Sequence, residues 1–225
     1  MTEKYYNKIK NARVFRGLTE RELRTVLRSI AVRESVCERN VILAEAESVA
    51  QEFILLTSGR IQGVGYHLDG SFDLIQLFVP GELIGLDVVC SSTHKWPYRL
   101  TALDVCTMLR VEYSSLFSRA IPRNIGEILR ANIIEALAND SLRRLHKIDV
   151  LYRRSLRERI VVFLRHIAVM SGSRDFHINM DREQFARFLG VNRSALSHEL
   201  GKMKEEGLLD FHKGHFTILS EELLR

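Results

Sequence analysis

The side chains best suited to chemistry in this 225-residue chain are hydrogen-bond donors gathered near its C-terminus. Arg193, Ser194, Ser197 and His198 follow Asn192, a residue type that caps helices. In a helix beginning there, Ser197 and His198 lie one turn beyond Arg193 and Ser194 and face the same way. A guanidinium in the first turn can give two parallel hydrogen bonds to guanine O6 and N7, while the hydroxyls and the imidazole can reach base edges or phosphates. Lys202, Lys204 and Lys213 suit phosphate oxygens, although each alone reads equally well as a solvated side chain. No nucleophile–base motif, metal-ligand set or cofactor fingerprint accompanies these donors. The chemistry they suggest is recognition, with no catalytic residue, no metal and no cofactor expected.

The surrounding residues supply the elements that hold them. Asp181 and Gln184 have the spacing of a capping box, and Phe185, Ala186 and Leu189 form the apolar face of the helix that follows. Gly190 stops it where a left-handed residue is needed. The next helix turns Ala195, Leu196, Leu200 and Met203 inward. After Gly207, the runs Leu208 to Phe211 and His215 to Leu219 flank Lys213-Gly214 and predict a hairpin. Asn179 to Leu219 therefore reads as a winged helix-turn-helix, and double-stranded DNA is the expected partner.

Charge agrees with this placement. The chain carries a net +5, yet residues 1–118 hold 14 basic and 14 acidic side chains, so the whole excess falls in residues 119–225, with 19 against 14. The densest run, Arg143 to Arg159, has seven basic residues and two acidic ones. Alone it would be a solvated face; beside a DNA-reading helix it reads as an electrostatic footprint. Cys37, Cys90 and Cys106 form neither a disulfide framework nor a zinc site. With no membrane-length apolar run and no signal-peptide core, the expected location is the cytoplasm of a bacterium.

In the first half, Thr19 and Glu22 predict a capped helix buried through Leu23, Val26, Leu27 and Ile30. Short apolar runs follow at Val41 to Leu43, Phe53 to Leu56, Ile61 to Tyr66, Phe72 to Val79, Leu83 to Val89, Leu100 to Ala102 and Cys106 to Val111. They predict a small antiparallel barrel or roll, with Asp69-Gly70 as a type I′ turn and Asn40 at a positive-φ position. From Ser118 to about Ile148 the period becomes helical. This helix would exceed ~40 Å at 1.5 Å per residue, longer than one small domain needs. Its stripe can lie on the roll. A two-stranded coiled coil explains the length better and gives a homodimer, with Ile125, Ile128, Leu129 and Ala136 at the interface. A further amphipathic helix, burying Leu156, Ile160, Phe163, Leu164 and Ile167, ends at Ser171-Gly172. The expected fold is α+β: a β-roll (1–117), a long dimerisation helix (118–148) and a winged helix-turn-helix domain (149–225).

This order, with Phe15 to Leu23 (FRGLTEREL), Phe53 to Gly63 (FILLTSGRIQG), Pro80 to Gly85 (PGELIG) and Gly190 to Gly207 (GVNRSALSHELGKMKEEG), resembles the family of the cyclic-AMP receptor protein and the fumarate–nitrate reduction regulator (CRP/FNR) over nearly the whole chain. The resemblance implies that the roll is cyclic-nucleotide-binding-like, and that the chain is a homodimeric transcription factor that senses a signal through it, binds a palindromic operator and works with RNA polymerase. It also marks Gly85, Leu86, Trp96 and Arg99 as effector-binding positions. Nucleotide-binding members follow the glycine matching Gly85 with a ribose-binding glutamate, where this chain has Leu86. Their phosphate-gripping Arg-Ser pair is replaced by Trp96-Pro97, with Arg99 three residues late. A buried phosphate without a guanidinium is poorly compensated, so cyclic nucleotides are not expected, and any effector, still unidentified, should be less polar. The iron–sulfur members need four cysteines. Ser194 stands where many relatives carry a cytosine-reading glutamate, so their operator does not carry over. Open alternatives are a cyclic nucleotide gripped by Arg99 in a shifted register, haem on His67 or His94, a thiol sensor at Cys90 and Cys106, and a winged helix that binds protein. A cupin-like metal enzyme would need ligands that His67-Leu68-Asp69 and His94 do not supply.

Overall fold

In the computed structural model, which describes residues 2–224, the chain divides into two compact units. One comprises the residues up to Tyr66 with Ile75–Asp140; the other comprises His67–Leu74 with the residues from Ser141 onward.

The first unit contains helices α1 (Thr2–Ile9) and α2 (Glu20–Ser29) and strands β1 (Val32–Cys37), β2 (Ile42–Ala44), β3 (Glu52–Ser58), β4 (Ile61–Tyr66), β5 (Phe72–Phe78, entered from the second unit) and β6 (Leu83–Ile84). Short helix α3 (Leu86–Cys90), β7 (Arg99–Ala102) and β8 (Cys106–Glu112) complete it before the long helix α4 (Arg123–Leu151) begins. Two four-stranded sheets form, ordered β1–β8–β3–β6 and β2–β7–β4–β5. Phe53, Ile54, Leu55 and Leu56 are all buried, as a strand covered on both faces requires. Thr19 and Glu22 make the expected reciprocal capping box on α2, and Asn40 takes the expected positive φ, 65°.

The roll departs from expectation in three places. Strand β1, with the sequence VRESVC, lacks an apolar run and escaped periodicity; it is defined by its register with β8, from Val32 opposite Val111 to Cys37 opposite Cys106. Leu83 to Val89 is not one strand: Gly85, at φ 79°, breaks it and Leu86 opens α3. Asp69-Gly70 is not a type I′ pair, because only Gly70 has a positive φ. The turn is instead closed by Gly70 N–H donating to the His67 carbonyl (3.0 Å), with the Asp69 carboxylate accepting from the Ser71 backbone and hydroxyl.

Helix α4 starts just after Pro122 and runs for 29 residues. Ile125, Leu129, Ile133 and Ala136 pack into the core of the first unit. Buried Asn132 there donates to the Val14 and Arg16 carbonyls at 3.0 and 2.8 Å. Three of the residues expected at a dimer interface, Ile125 (3% exposed), Leu129 (0%) and Ala136 (7%), are thus covered by their own chain, and Ile128 is half-buried. The large apolar residues that α4 leaves open are Ile134 (67%), Leu142 (53%), Leu145 (57%), Ile148 (49%) and, at its end, Leu151 (36%).

The second unit has its own core, from Val150 through Leu223. It contains α5 (Leu156–Ser171), β9 (Asp175–His177), α6 (Arg182–Phe188), α7 (Arg193–Glu205), β10 (Leu209–His212) and β11 (His215–Ile218). A Ser155–Glu158 capping box starts α5, and Gly172, at φ 64°, ends it. The wing is three-stranded, ordered β10–β11–β9, with Phe211 opposite Phe216 and Phe216 opposite Phe176. Strand β9 is too short to show a period, and only its pairing with β11 reveals it.

Candidate nucleic-acid interface

The recognition element rests on two caps and one turn. Asp181 and Gln184 close the capping box of α6, and the Asn192 side chain accepts from Ala195 N–H (2.8 Å) to start α7. Between the helices Gly190 takes φ 68°, and no atom but an Arg159 nitrogen at 3.8 Å would meet an added Cβ. Backbone conformation, not space, therefore demands glycine here. Fully buried Ala186, Leu189, Leu196 and Leu200 lock the pair together, and Phe163, Phe185 and Phe216 pack beneath them.

This packing leaves Arg193, Ser194, Ser197, His198 and Lys202 exposed on α7, and Lys213 exposed on the β10–β11 turn at φ 53°. The Ser194 hydroxyl donates to Asn192 Oδ1 (2.8 Å), so part of its hydrogen-bonding capacity belongs to the cap. The first turn of α7 holds no acidic residue to neutralise its N-terminal dipole end.

One cation of this surface was not singled out from the sequence. Arg182, the first residue of α6, lies with its guanidinium 4.8 Å from the Phe211 ring centroid and 5.8 Å from that of Phe216. It reaches the Lys213 carbonyl at 3.4 Å. Burial, and then the charge of Arg193, push its pKa down. Among the described residues neither Arg182 nor Arg193 has a carboxylate partner. A half-buried guanidinium with the charge of Arg193 near it, beside a helix N-terminus, is suited to an anion. Only tertiary packing on the wing phenylalanines brings Arg182 there, so no local pattern could have found it.

Part of the dense basic run serves architecture, so its charge is not all available as an electrostatic footprint. Arg157 binds Glu199 (2.5 Å) and Glu206 (2.6 and 2.8 Å), tying α5 to α7. Arg159 donates to the Leu189 carbonyl (2.9 Å) at the end of α6 and to the Arg153 carbonyl (3.1 Å), while Arg153 pairs with Asp149. Lys204 pairs with Asp210 at 2.5 Å and so braces α7 against β10.

In the first unit, Gly85 and Trp96 come together as a closed contact. A Cβ on Gly85 would lie 2.3 Å from the indole ring, so Trp96 occupies the space beside the glycine turn, and both Trp96 and Leu86 are buried. Arg99 is engaged elsewhere: its Nε donates to Glu45 (2.7 Å), and its guanidinium covers the Tyr66 ring at 4.6 Å. An open cavity of about 420 Å³ in this unit is lined by Arg33, Glu52, Arg110 and Glu112 together with Leu43, Val49, Ile54 and Trp96, among others; of the expected effector positions it includes Trp96.

The other sensing alternatives are also located. His67 Nε2 lies 2.9 Å from Asp73 on an exposed hairpin, and His94 is an exposed residue at φ 52°. Cys90 and Cys106 are not neighbours: Cys90 meets the Tyr113 hydroxyl, and Cys106 lies opposite Cys37. Burial raises the Cys90 thiol, and with the Cys90 hydrogen bond it pushes Tyr113 up to about 12. Among the described residues, no three His, Cys, Asp or Glu side chains converge as a metal site would require.

Residues 158–225 match the Crp-like helix-turn-helix domain family. The chain is 24% identical over 208 residues to the anaerobic regulatory protein of Pasteurella multocida, covering 89% of this chain and 73% of that protein. It is 23% identical over 210 residues to the fumarate and nitrate reduction regulatory protein of Vibrio cholerae, covering 90% and 81%. The fold matches that of FixK2 from Bradyrhizobium japonicum with a TM-score of 0.65, at 18% identity, over 86% of this chain and 96% of that one. These proteins are regulators, not enzymes. A roll of two antiparallel sheets, a long helix and a Crp-like helix-turn-helix give the chain the features of a DNA-binding transcription regulator of the CRP/FNR type.

Proposed function

We propose that the protein acts in the cytoplasm as a homodimer that binds a palindromic operator, contacts RNA polymerase, and responds through its roll to a signal other than a cyclic nucleotide. The observation that carries the DNA reading is the Crp-like helix-turn-helix in residues 158–225, whose helix α7 exposes Arg193, Ser197, His198 and Lys202 on one surface. Arg193 reads a base edge; Ser197 and His198 contact bases or phosphates; Arg182, Lys202 and the wing residue Lys213 hold the phosphate backbone. The protomers meet along the open stripe of α4, Ile134, Leu142, Leu145 and Ile148, which recurs at helical spacing and exposes large apolar side chains. The contact of Trp96 on Gly85, with Arg99 held by Glu45, supports a site that does not accept a cyclic phosphate. Selection from a random-sequence duplex library tests the proposal. It should return inverted half-sites whose centres are about one helical turn apart. Recovery of unselected sequence, or of a single half-site, would refute it.

A further inference from the structure

Cys37 is the last residue of β1 and Cys106 the first of β8, and the antiparallel register sets them directly opposite each other. Cα atoms of opposed residues in such a ladder are about 4.5 or 5.5 Å apart, depending on which kind of pair they form. Both values fall within the range of about 4.4–6.8 Å that a disulfide spans. The Cys37 thiol lies within hydrogen-bonding reach of Cys106. Being at the end of the ladder, the pair can adjust its side chains to a disulfide without ladder neighbours on both sides to hold it. Exposure is asymmetric in a useful way. Cys37 is half-exposed beside open Val36, whereas Cys106 is fully buried and donates to the Arg60 and Asp104 carbonyls at 3.3 Å. Cys90 has no part in this arrangement.

We infer that Cys37 and Cys106 are a redox-active dithiol that a peroxide converts to an intrachain disulfide stapling β1 to β8. In the first step the Cys37 sulfur, its proton released to solvent, attacks one peroxide oxygen; the O–O bond breaks, leaving Cys37 sulfenic acid and hydroxide, which that proton converts to water. In the second step the Cys106 sulfur attacks the Cys37 sulfur; the S–O bond breaks, and the departing hydroxide takes the Cys106 proton as a second water. Two thiols and one hydrogen peroxide thus give one disulfide and two waters, with the two sulfurs supplying the two electrons that the peroxide accepts. Cys106, held between carbonyls and shielded from solvent, resolves the sulfenic acid and is not itself the first target. A bearing on regulation rests on reading the roll as the sensing unit; the chemistry does not.

The full-length reduced protein, treated with a few equivalents of hydrogen peroxide and digested without reductant, is read by mass spectrometry and by free-thiol titration. The expected result is one Cys37–Cys106 crosslink per chain, a fall from three titratable thiols to one, and full reversal by dithiothreitol. Cys90→Ser should still form the crosslink; Cys37→Ser should not, and its Cys106 should stay reduced under the same treatment. Three remaining thiols in the folded wild-type protein, or a crosslink through Cys90 or between chains, would overturn the proposal. Operator affinity of the oxidised and reduced forms is measured separately, so failure of the sensing reading is distinguishable from failure of the thiol chemistry.

Discussion

Helix α4 allows a test that separates packing within the chain from packing between chains. Fully burying a Leu or Ile side chain stabilises by about 1.5–3 kcal/mol, so covering the exposed half of Leu145 (57%) or Ile134 (67%) in a dimer contributes about 1 kcal/mol per copy. In a homodimer every substitution counts twice. Leu145→Ala should weaken association by about 2 kcal/mol, roughly 30-fold in Kd, and Ile134→Ala with Leu145→Ala by about 4 kcal/mol, roughly 1,000-fold. Neither change opens a cavity in the monomer, so far-ultraviolet dichroism and the first unit's unfolding should barely move. Leu129→Ala is the contrasting case: the side chain is fully buried in its own chain's core, and its truncation should cost about 2–5 kcal/mol of folding stability, lowering Tm by roughly 5–15 °C. Sedimentation velocity across a dilution series, with thermal unfolding in parallel, reads both quantities. If the double variant sediments as wild type while Leu129→Ala dissociates a folded dimer, the two faces of α4 are the reverse of those assigned.

Three further outcomes are expected. Arg193→Ala should weaken specific operator binding by about 1–3 kcal/mol and relax preference at one base pair per half-site, whereas Arg182→Ala should weaken all duplexes alike and reduce the slope of log K against log salt by about one per protomer; equal sequence preference in the two variants would refute the division of roles. Burial holds the Lys147 ammonium, bonded to the Leu74 carbonyl and 4.3 Å from the centroid of the Phe188 ring, down at about 8 against an ordinary 10.5. Between those values the unfolded chain binds the proton that the native chain has lost, so stability should rise with pH from about 8 to 10.5, by at most ~3 kcal/mol, and Lys147→Met should flatten that rise in urea titrations. Isothermal titration with cyclic AMP and cyclic GMP should give no binding at micromolar concentration; binding that Arg99→Ala abolishes would show that Arg99 leaves Glu45 to grip the phosphate.

The sequence was most legible where structure is local. The boxes Thr19–Glu22 and Asp181–Gln184, the Asn192 cap and Gly190 are decided within four residues, and each occurs as expected. Legibility fell where a partner distant in sequence decides. VRESVC becomes a strand only opposite β8, and DFH only opposite β11. The stripe of α4 gave the helix correctly but not its faces, because a 3.6-residue period reports which side is apolar and not what covers it. The exposed Leu142, Leu145 and Ile148 and the buried Ile125 and Leu129 all fit one periodic pattern; only the roll packed against the first part of the helix separates them.

Charge shows the same division, and it bears on function. A count of basic residues selected Arg143 to Arg159, yet Arg153, Arg157 and Arg159 in that run are engaged by Asp149, by Glu199 and Glu206, and by backbone carbonyls. A guanidinium already paired bidentately has little to offer a phosphate, since binding one would first break contacts of similar strength. What sets the proposed DNA-facing surface apart is not the density of cations but that, among the described residues, no carboxylate pairs with Arg182 or Arg193. Packing on Phe211 and Phe216 removes Arg182 from much of the water that would screen it, and this burial, with the charge of Arg193, holds its pKa down. An arrangement that opposes its own stability persists at functional sites when a ligand relieves it. A phosphate beside Arg182 would do so, which makes this half-buried arginine, without a carboxylate partner among the described residues, a better candidate for a phosphate contact than the carboxylate-bound arginines of the run.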